Sequence, residues 1–239
     1  MIGKDPNSHN RHLVVRNIER PDREILDGLA PVGTATVHEA IGRRGYLGPD
    51  LKPIQQGARI AGSAVTVLSH PGDNMMLHAA VEVCEPGDVL VVATTAPSTH
   101  GMFGDLLAAS LMTRGVRGLV MDAGVRDTHD LREMGFPVWT RHVSCQGTVK
   151  ATAGSVNVPV TIGGISIEPG DVVCADDDGV VRVGRHEAAW SLQMSLERIA
   201  KEQGTRDRLL SGELGVDFYG LRTKIIELGV QYVDSYDDI

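Results

Sequence analysis

Aromatic side chains are scarce in this chain of 239 residues, only 4% of the total, and there are just three cysteines, Cys84, Cys145 and Cys174. The shortage of rings excludes a core built on aromatic clusters, and 28 glycines favour a loop-rich α/β protein instead. An odd, widely spaced set of cysteines makes a disulfide framework untenable, and no CxxC spacing offers a zinc ribbon. Reduced, packed thiols in a cytoplasmic protein are the expectation. Lys and Arg are outnumbered by Asp and Glu, 23 to 31, so at a net charge of −8 no broad nucleic-acid face is expected. No basic stretch precedes a long apolar run, so neither a signal peptide nor a membrane span is expected. HExxH, P-loop and GxSxG patterns are missing as well.

What the chain does have is ordinary globular chemistry, 42% hydrophobic and 23% charged, enough for one sizeable domain. Residues 1–12 are polar and aperiodic and read as a flexible tail. Helices are predicted over Asp22–Gly33, Thr34–Gly42, Asn74–Val83, Leu106–Met112 and Asp127–Met134. Between them lie the alternating stretch Ala58–Leu68 and the apolar strands Val89–Ala93, Gly118–Met121 and Pro137–Thr140. Alternation of helix and strand argues for an α/β core with parallel pairing. Ser155–Val183 is strand-rich. A long helix then runs from Glu187 to Leu210, with Leu192, Leu196 and Ile199 on one stripe. The expected organisation is a core over 13–186 followed by a C-terminal helical extension over 187–239.

The chemistry concentrates between Gly101 and Asp127. Twenty residues separate Asp105 from the pair Arg126–Asp127. A carboxylate at the start of one helix and an Arg–Asp pair after the next strand place three charges where loops converge. Taken singly, Asp105 and Asp127 read as helix N-caps and Arg126 as a solvated surface residue. Taken together they suit a divalent metal and a small oxo-acid, because Mg²⁺ and Mn²⁺ use one or two carboxylates and let substrate and water complete the shell. The N–H groups of Leu106 and Leu107 open a helix and are suited to a substrate carboxylate. Arg126 is suited to a developing enolate oxygen. Gly101 and Gly104 allow close backbone approach to a ligand. Weaker candidates are Asp122 at a strand end, Asn74 and His78 on one helix face beside Asp73, and Lys150, a Schiff-base candidate for which solvation is the plainer account. Asp176-Asp177-Asp178-Gly179 reads as a turn, lacking the alternating ligands of a calcium loop.

The segment Gly104-Asp105-Leu106-Leu107, the spacing to Arg126-Asp127 and the run GVRGLVMDAGVRD resemble the 4-hydroxy-4-methyl-2-oxoglutarate / 4-carboxy-4-hydroxy-2-oxoadipate aldolases. The likeness extends through ATVHEA, GARIAGSAVTV, PGDN, QGTVK, GSVNVPV, ADDDGV and GELGVDFYGLR, from about Leu13 to Val233. The resemblance implies a swivelling β/β/α fold and a class II pyruvate aldolase using Mg²⁺ or Mn²⁺. It implies that Asp127 binds the metal, that Asp105 acts through water, and that Arg126 polarises the pyruvyl oxygen. It further implies that Gly104, Leu106 and Leu107 contact substrate through the backbone. Glu202, with Glu197 as the alternative, would join the site from a neighbouring subunit of a homotrimer or homohexamer. The implied reaction is retro-aldol cleavage to pyruvate plus oxaloacetate, or to two pyruvates, with oxaloacetate decarboxylation as a side activity, in bacterial aromatic-acid breakdown. Ribonuclease E regulators of the same fold, which perform no catalysis, are the competing reading. They are shorter and typically lack the acid after the Arg.

Overall fold

The computed structural model describes residues 12–238; apart from His12, the expected N-terminal tail lies outside them. Helices α1 (Arg23–Leu29) and α2 (Thr34–Ala40) come first. Then follow β1 (Lys52–Pro53), β2 (Ile60–Ser69), α3 (Met75–Val81), β3 (Asp88–Thr94), β4 (Gly101–Phe103), α4 (Asp105–Thr113), β5 (Gly118–Val125), α5 (Thr128–Glu133) and β6 (Val138–Val143). The second half holds β7 (Ser155–Val156), β8 (Val160–Ile162), β9 (Ile165–Ile167), β10 (Val172–Asp176) and β11 (Gly179–Val183). Helices α6 (Ala188–Leu210), α7 (Gly215–Phe218) and α8 (Leu221–Glu227) follow.

One mixed sheet runs in the order β1-β6-β5-β3-β2-β10-β11, with β4 added to β5 and β7 to β2. Its centre, β2, β3, β5 and β6, is parallel; β1, β7, β10 and β11 pair antiparallel. Three successive βαβ crossovers through α3, α4 and α5 build that centre. This is an α/β fold of the swivelling β/β/α type. The parallel strands are buried on both faces, which is why they read as apolar runs. In β3, Leu90 and Val92 join the core under α3 and α4, while Val89, Val91 and Ala93 join a second core on the opposite face with Trp139 and the β8–β9 hairpin. That split follows from the strand's two-residue period. A third core gathers α1, α2 and the start of α6 against β10 and β11.

The chain divides at Ser195/Leu196 into two compact units. In the second, Arg208 pairs with Glu213 at 2.6 Å and lies 4.3 Å from the Phe218 ring centroid. Three expectations need correction. Strand β5 continues to Val125, so Asp122 sits inside a strand rather than at its end, with its carboxylate on Arg141. Cys145 is exposed, whereas Cys84 and Cys174 are buried thiols with pKa values pushed up to about 12, chiefly by burial. The stripe on α6 is not buried throughout. Ala188, Ser191 and Ser195 are covered and Leu192 packs on the third core, but Leu196 and Ile199 are exposed, because apolar periodicity marks a face without stating what covers it.

Candidate active site

The parallel strands all point their carboxyl ends at one region, and the chemistry-bearing residues follow those ends, as open α/β sheets generally arrange their sites. Asp73 and Asn74 follow β2, Gly104 and Asp105 follow β4, Arg126 and Asp127 follow β5, and Ser144 to Lys150 follow β6. Backbone hydrogen bonds tie these segments together. Arg126 N–H donates to the Phe103 carbonyl at 2.8 Å, Ser144 N–H to Val125 at 2.9 Å, and Gly101 N–H to Gln146 at 2.9 Å. Phe103, stacked on Phe136 at 5.8 Å between centroids, anchors the strand immediately before Gly104.

Asp127 adopts a left-handed conformation, φ 55°, at the residue preceding α5, and its side chain makes no capping hydrogen bond. A non-glycine residue there carries strain, least for Asp and Asn. Asp105 is the first residue of α4, behind Gly104 in the cap position, and no side chain caps that helix either. Both carboxylates are therefore released from the capping role that local sequence would assign them. The first amides of α4 are available to a ligand. Arg126 Nε lies 3.3 Å from Asp127 Oδ2, with both side chains partly exposed. A guanidinium carries five donors in all, more than one carboxylate can use.

Gly104 explains the approach. A Cβ built on it would lie 2.2 Å from Asp127 Oδ2, so only glycine lets this carboxylate rest against the start of α4. A Cβ on Gly101 would meet the Ser144 carbonyl at 2.3 Å. Both glycines thus make room for the protein's own groups.

A pocket of ≈ 90 Å³ opens here, with Asn74, His78, Asp105, Leu106, Arg126 and Lys150 in its wall. It is smaller than the ~300–1,000 Å³ of drug-sized sites. A cleft of ≈ 300 Å³ shares Arg126 and is lined by Asp127 and Cys145. Asn74, His78 and Lys150 carry little weight in the sequence, yet all three line the pocket with Asp105 and Arg126. Only the four-residue spacing of Asn74 and His78 hinted at it. His78 is held below its usual pKa by burial and then by the charge of Lys150, which favours the neutral imidazole. Glu202 lies in the second unit and pairs with Arg198 at 2.7 Å.

Asp73 organises the pocket's far wall. It is fully buried, and its carboxylate accepts from Met75 N–H at 2.9 Å and from Ala151 and Thr152 N–H at 2.7 Å each. Burial opposes its charge, but these backbone donors outweigh burial and hold its pKa below the ordinary 3.8. A depressed folded pKa contributes stability that is complete above the unfolded value and is lost as pH falls through the folded one. Asp73→Asn is therefore expected to cost about 2–4 kcal/mol at neutral pH, with the deficit shrinking in acid. Urea unfolding of both proteins across pH checks this; a deficit constant down to the lowest pH at which both fold would refute it.

Among the described residues, no group of three or more His, Cys, Asp or Glu side chains gathers to hold a metal. The donors present, Asp127 just before α5 and Asp105 at the start of α4, are hard oxygens. They suit a cation that keeps most of its shell as water and substrate, such as Mg²⁺ or Mn²⁺, and not a closed zinc site. No helix among the described residues is long and apolar enough to cross a membrane.

Known proteins share this architecture. A protein named "Putative 4-hydroxy-4-methyl-2-oxoglutarate aldolase" from Halalkalibacterium halodurans is 29% identical over 180 residues, covering 75% of this chain and 85% of its own. Another of that name, from Burkholderia multivorans, is 37% identical over 142 residues, or 59% of this chain and 86% of that one. The crystal structure of Streptomyces coelicolor RraAS2, described as an unusual member of the RNase ES inhibitor RraA protein family, matches with a TM-score of 0.71 and 32% identity. It covers 80% of this chain and 99% of its own. The RraA-like family, Aldolase/RraA, matches residues 34–182. With more than half its length accounted for in this way, the chain belongs to the Aldolase/RraA family.

Proposed function

We propose that this protein is a divalent-metal-dependent pyruvate aldolase. It cleaves 4-carboxy-4-hydroxy-2-oxoadipate to pyruvate and oxaloacetate, or 4-hydroxy-4-methyl-2-oxoglutarate to two pyruvates, and decarboxylates oxaloacetate as a side reaction. The observation that carries the reading is the convergence of Asp105, Arg126 and Asp127 with neither carboxylate engaged in capping a helix. Asp127 would hold the metal, and Mg²⁺ or Mn²⁺ bound there would act as a Lewis acid toward the 2-oxo acid. The Leu106 and Leu107 amides at the start of α4 would receive the substrate's C1 carboxylate, with Gly104 keeping the approach open. Asp105 would draw the proton from the C4 hydroxyl through water. The C3–C4 electron pair then moves to form the enolate, and the C2 oxygen takes up the charge against the Arg126 guanidinium. Return of a proton to C3 gives pyruvate, and the C4 fragment leaves as a ketone.

Glu202 of a neighbouring subunit is proposed as the outer acid of a homotrimer or homohexamer, a role resting on the family resemblance. The exposure of Leu196 and Ile199 on the same helix is consistent with such a cover. A second reading, a regulator of an RNA-processing nuclease, is supported by the likeness to RraAS2. Pyruvate release from 4-carboxy-4-hydroxy-2-oxoadipate separates the two. Fast release with magnesium, abolished by excess EDTA and restored by added metal, is the expected result. Release indifferent to EDTA would transfer the chemistry to Lys150 as a Schiff base. Silence with both acids, at verified metal loading, would leave the regulator.

A further inference from the structure

The wall formed by the segment after β6 has no helix or extended strand of its own at 149–152, yet it is held from several directions. Val149 N–H donates to the Gly72 carbonyl at 3.0 Å, and Asn74 N–H to the Val149 carbonyl at 3.1 Å. The Asp73 carboxylate takes the next two amides, Ala151 and Thr152. Burying a carboxylate is costly and is tolerated where charge-assisted bonds satisfy it. The residue enclosed by this clamp is Lys150. Its side chain lines the small pocket, and no ion pair joins it to a carboxylate among the described residues.

An exposed lysine is usually just solvated. Lys150 differs because the backbone before it is held by Gly72 and Asn74 and the backbone after it by a buried charge, so its side chain starts from a defined place. Its neighbours also matter. His78 stands in the same wall, its pKa held down by burial and then by the charge of Lys150. Asn74 donates through Nδ2 to the Met102 carbonyl at 3.2 Å, which fixes the amide's orientation. Its buried Oδ1 then has no donor among the described residues. One small pocket thus has a guanidinium and an ammonium on different segments, with an acceptor in the wall beside them. Such a pocket suits a ligand with negative charge toward both ends and a hydroxyl between.

We infer that Lys150 is the specificity-determining residue of this site, binding the carboxylate carried on the C4 carbinol carbon. The pocket thereby selects hydroxy-oxo diacids over 4-hydroxy-2-oxo acids with only an alkyl C4. Asp73 is a positioning residue in this scheme, acting through the loop. The inference rests on the aldolase reading and deepens it by assigning the second carboxylate a partner.

The test compares kcat/KM for 4-hydroxy-4-methyl-2-oxoglutarate with that for 4-hydroxy-2-oxopentanoate, which has hydrogen in place of the C4 carboxylate. It is run on the wild type, Lys150→Met and Lys150→Arg with saturating magnesium. The wild type is expected to prefer the diacid. Lys150→Met is expected to reduce that selectivity by about 10- to 100-fold, the size of one lost charge-assisted bond, mainly through KM. Lys150→Arg is expected to recover most of it. Unchanged selectivity in Lys150→Met overturns the assignment. An equal loss on both substrates that Arg does not rescue also overturns it, and assigns Lys150 to the bond-breaking step. If the wild type releases pyruvate from neither substrate, the aldolase reading itself fails and the assignment falls with it, a result visible before any variant is made.

Discussion

Asp127→Asn is expected to lower kcat/KM for pyruvate release by about 10³ or more while leaving the fold intact. A metal's Lewis acidity is worth several kcal/mol of transition-state stabilisation, and each 1.36 kcal/mol is tenfold in rate. The amide keeps the shape but loses the charge that would hold the cation. Asparagine is the right replacement because it tolerates the left-handed backbone at φ 55° as aspartate does; alanine would mix strain with chemistry. Stability should change by less than about 1 kcal/mol, since the side chain caps nothing and its ion pair with Arg126 is partly exposed. Mn²⁺ binding followed by electron paramagnetic resonance gives the second readout, and tight binding should disappear with the activity. Near-normal turnover in Asp127→Asn would remove this residue from the reaction.

The second large effect is expected from a single methyl group. In Gly104→Ala the new Cβ would meet Asp127 Oδ2 at 2.2 Å and Arg126 Cγ at 3.2 Å. The backbone at Gly104 is extended, φ −155° and ψ −170°, so alanine can occupy it without conformational strain. The clash is with the end of a partly exposed side chain, which moves more cheaply than the backbone. The carboxylate, and the guanidinium paired with it, should shift by roughly 1 Å, and a displacement of that size can cost about 10²-fold in rate. Thermal unfolding should be nearly that of the wild type, separating a displaced site from a damaged fold. Full activity in Gly104→Ala would mean that Asp127 does its work from somewhere other than the place beside this glycine.

Much of the molecule was legible beforehand. The helices at Thr34–Ala40, Met75–Val81 and Asp105–Thr113, and strands β2, β3, β5 and β6, follow from periodicity and turn residues within a dozen positions. The two-residue turn at Asp177–Asp178 was read correctly as well; the Asp176 beside it accepts from Thr34 N–H at 2.8 Å and anchors α2. Strand β4 escaped notice because three residues carry no period. The end of β5 was cut short because Asp122 interrupts an apolar run, although its carboxylate is neutralised by Arg141 from the adjacent strand.

The site divides along the same line. Spacing in the sequence was enough to single out Asp105, Arg126 and Asp127, because one crossover from α4 to β5 connects them and its length is readable from the residues. Asn74, His78 and Lys150 reach the same pocket from segments after β2 and β6. Beyond the four-residue spacing of Asn74 and His78, nothing near them in sequence signals that, because their neighbourhood is created by parallel strand order. The loop bearing Lys150 is placed by Asp73, 77 positions earlier, through hydrogen bonds to its backbone that no local pattern encodes. Sequence by itself therefore determined the class of fold and the identity of the three charged groups, since both follow from short-range periodicity and spacing. Only the tertiary structure decided that the two aspartates are free of capping duty and that a glycine makes their approach possible. It also decided which cation stands across the pocket, because those are contacts between residues whose separation along the chain is erased when the sheet assembles.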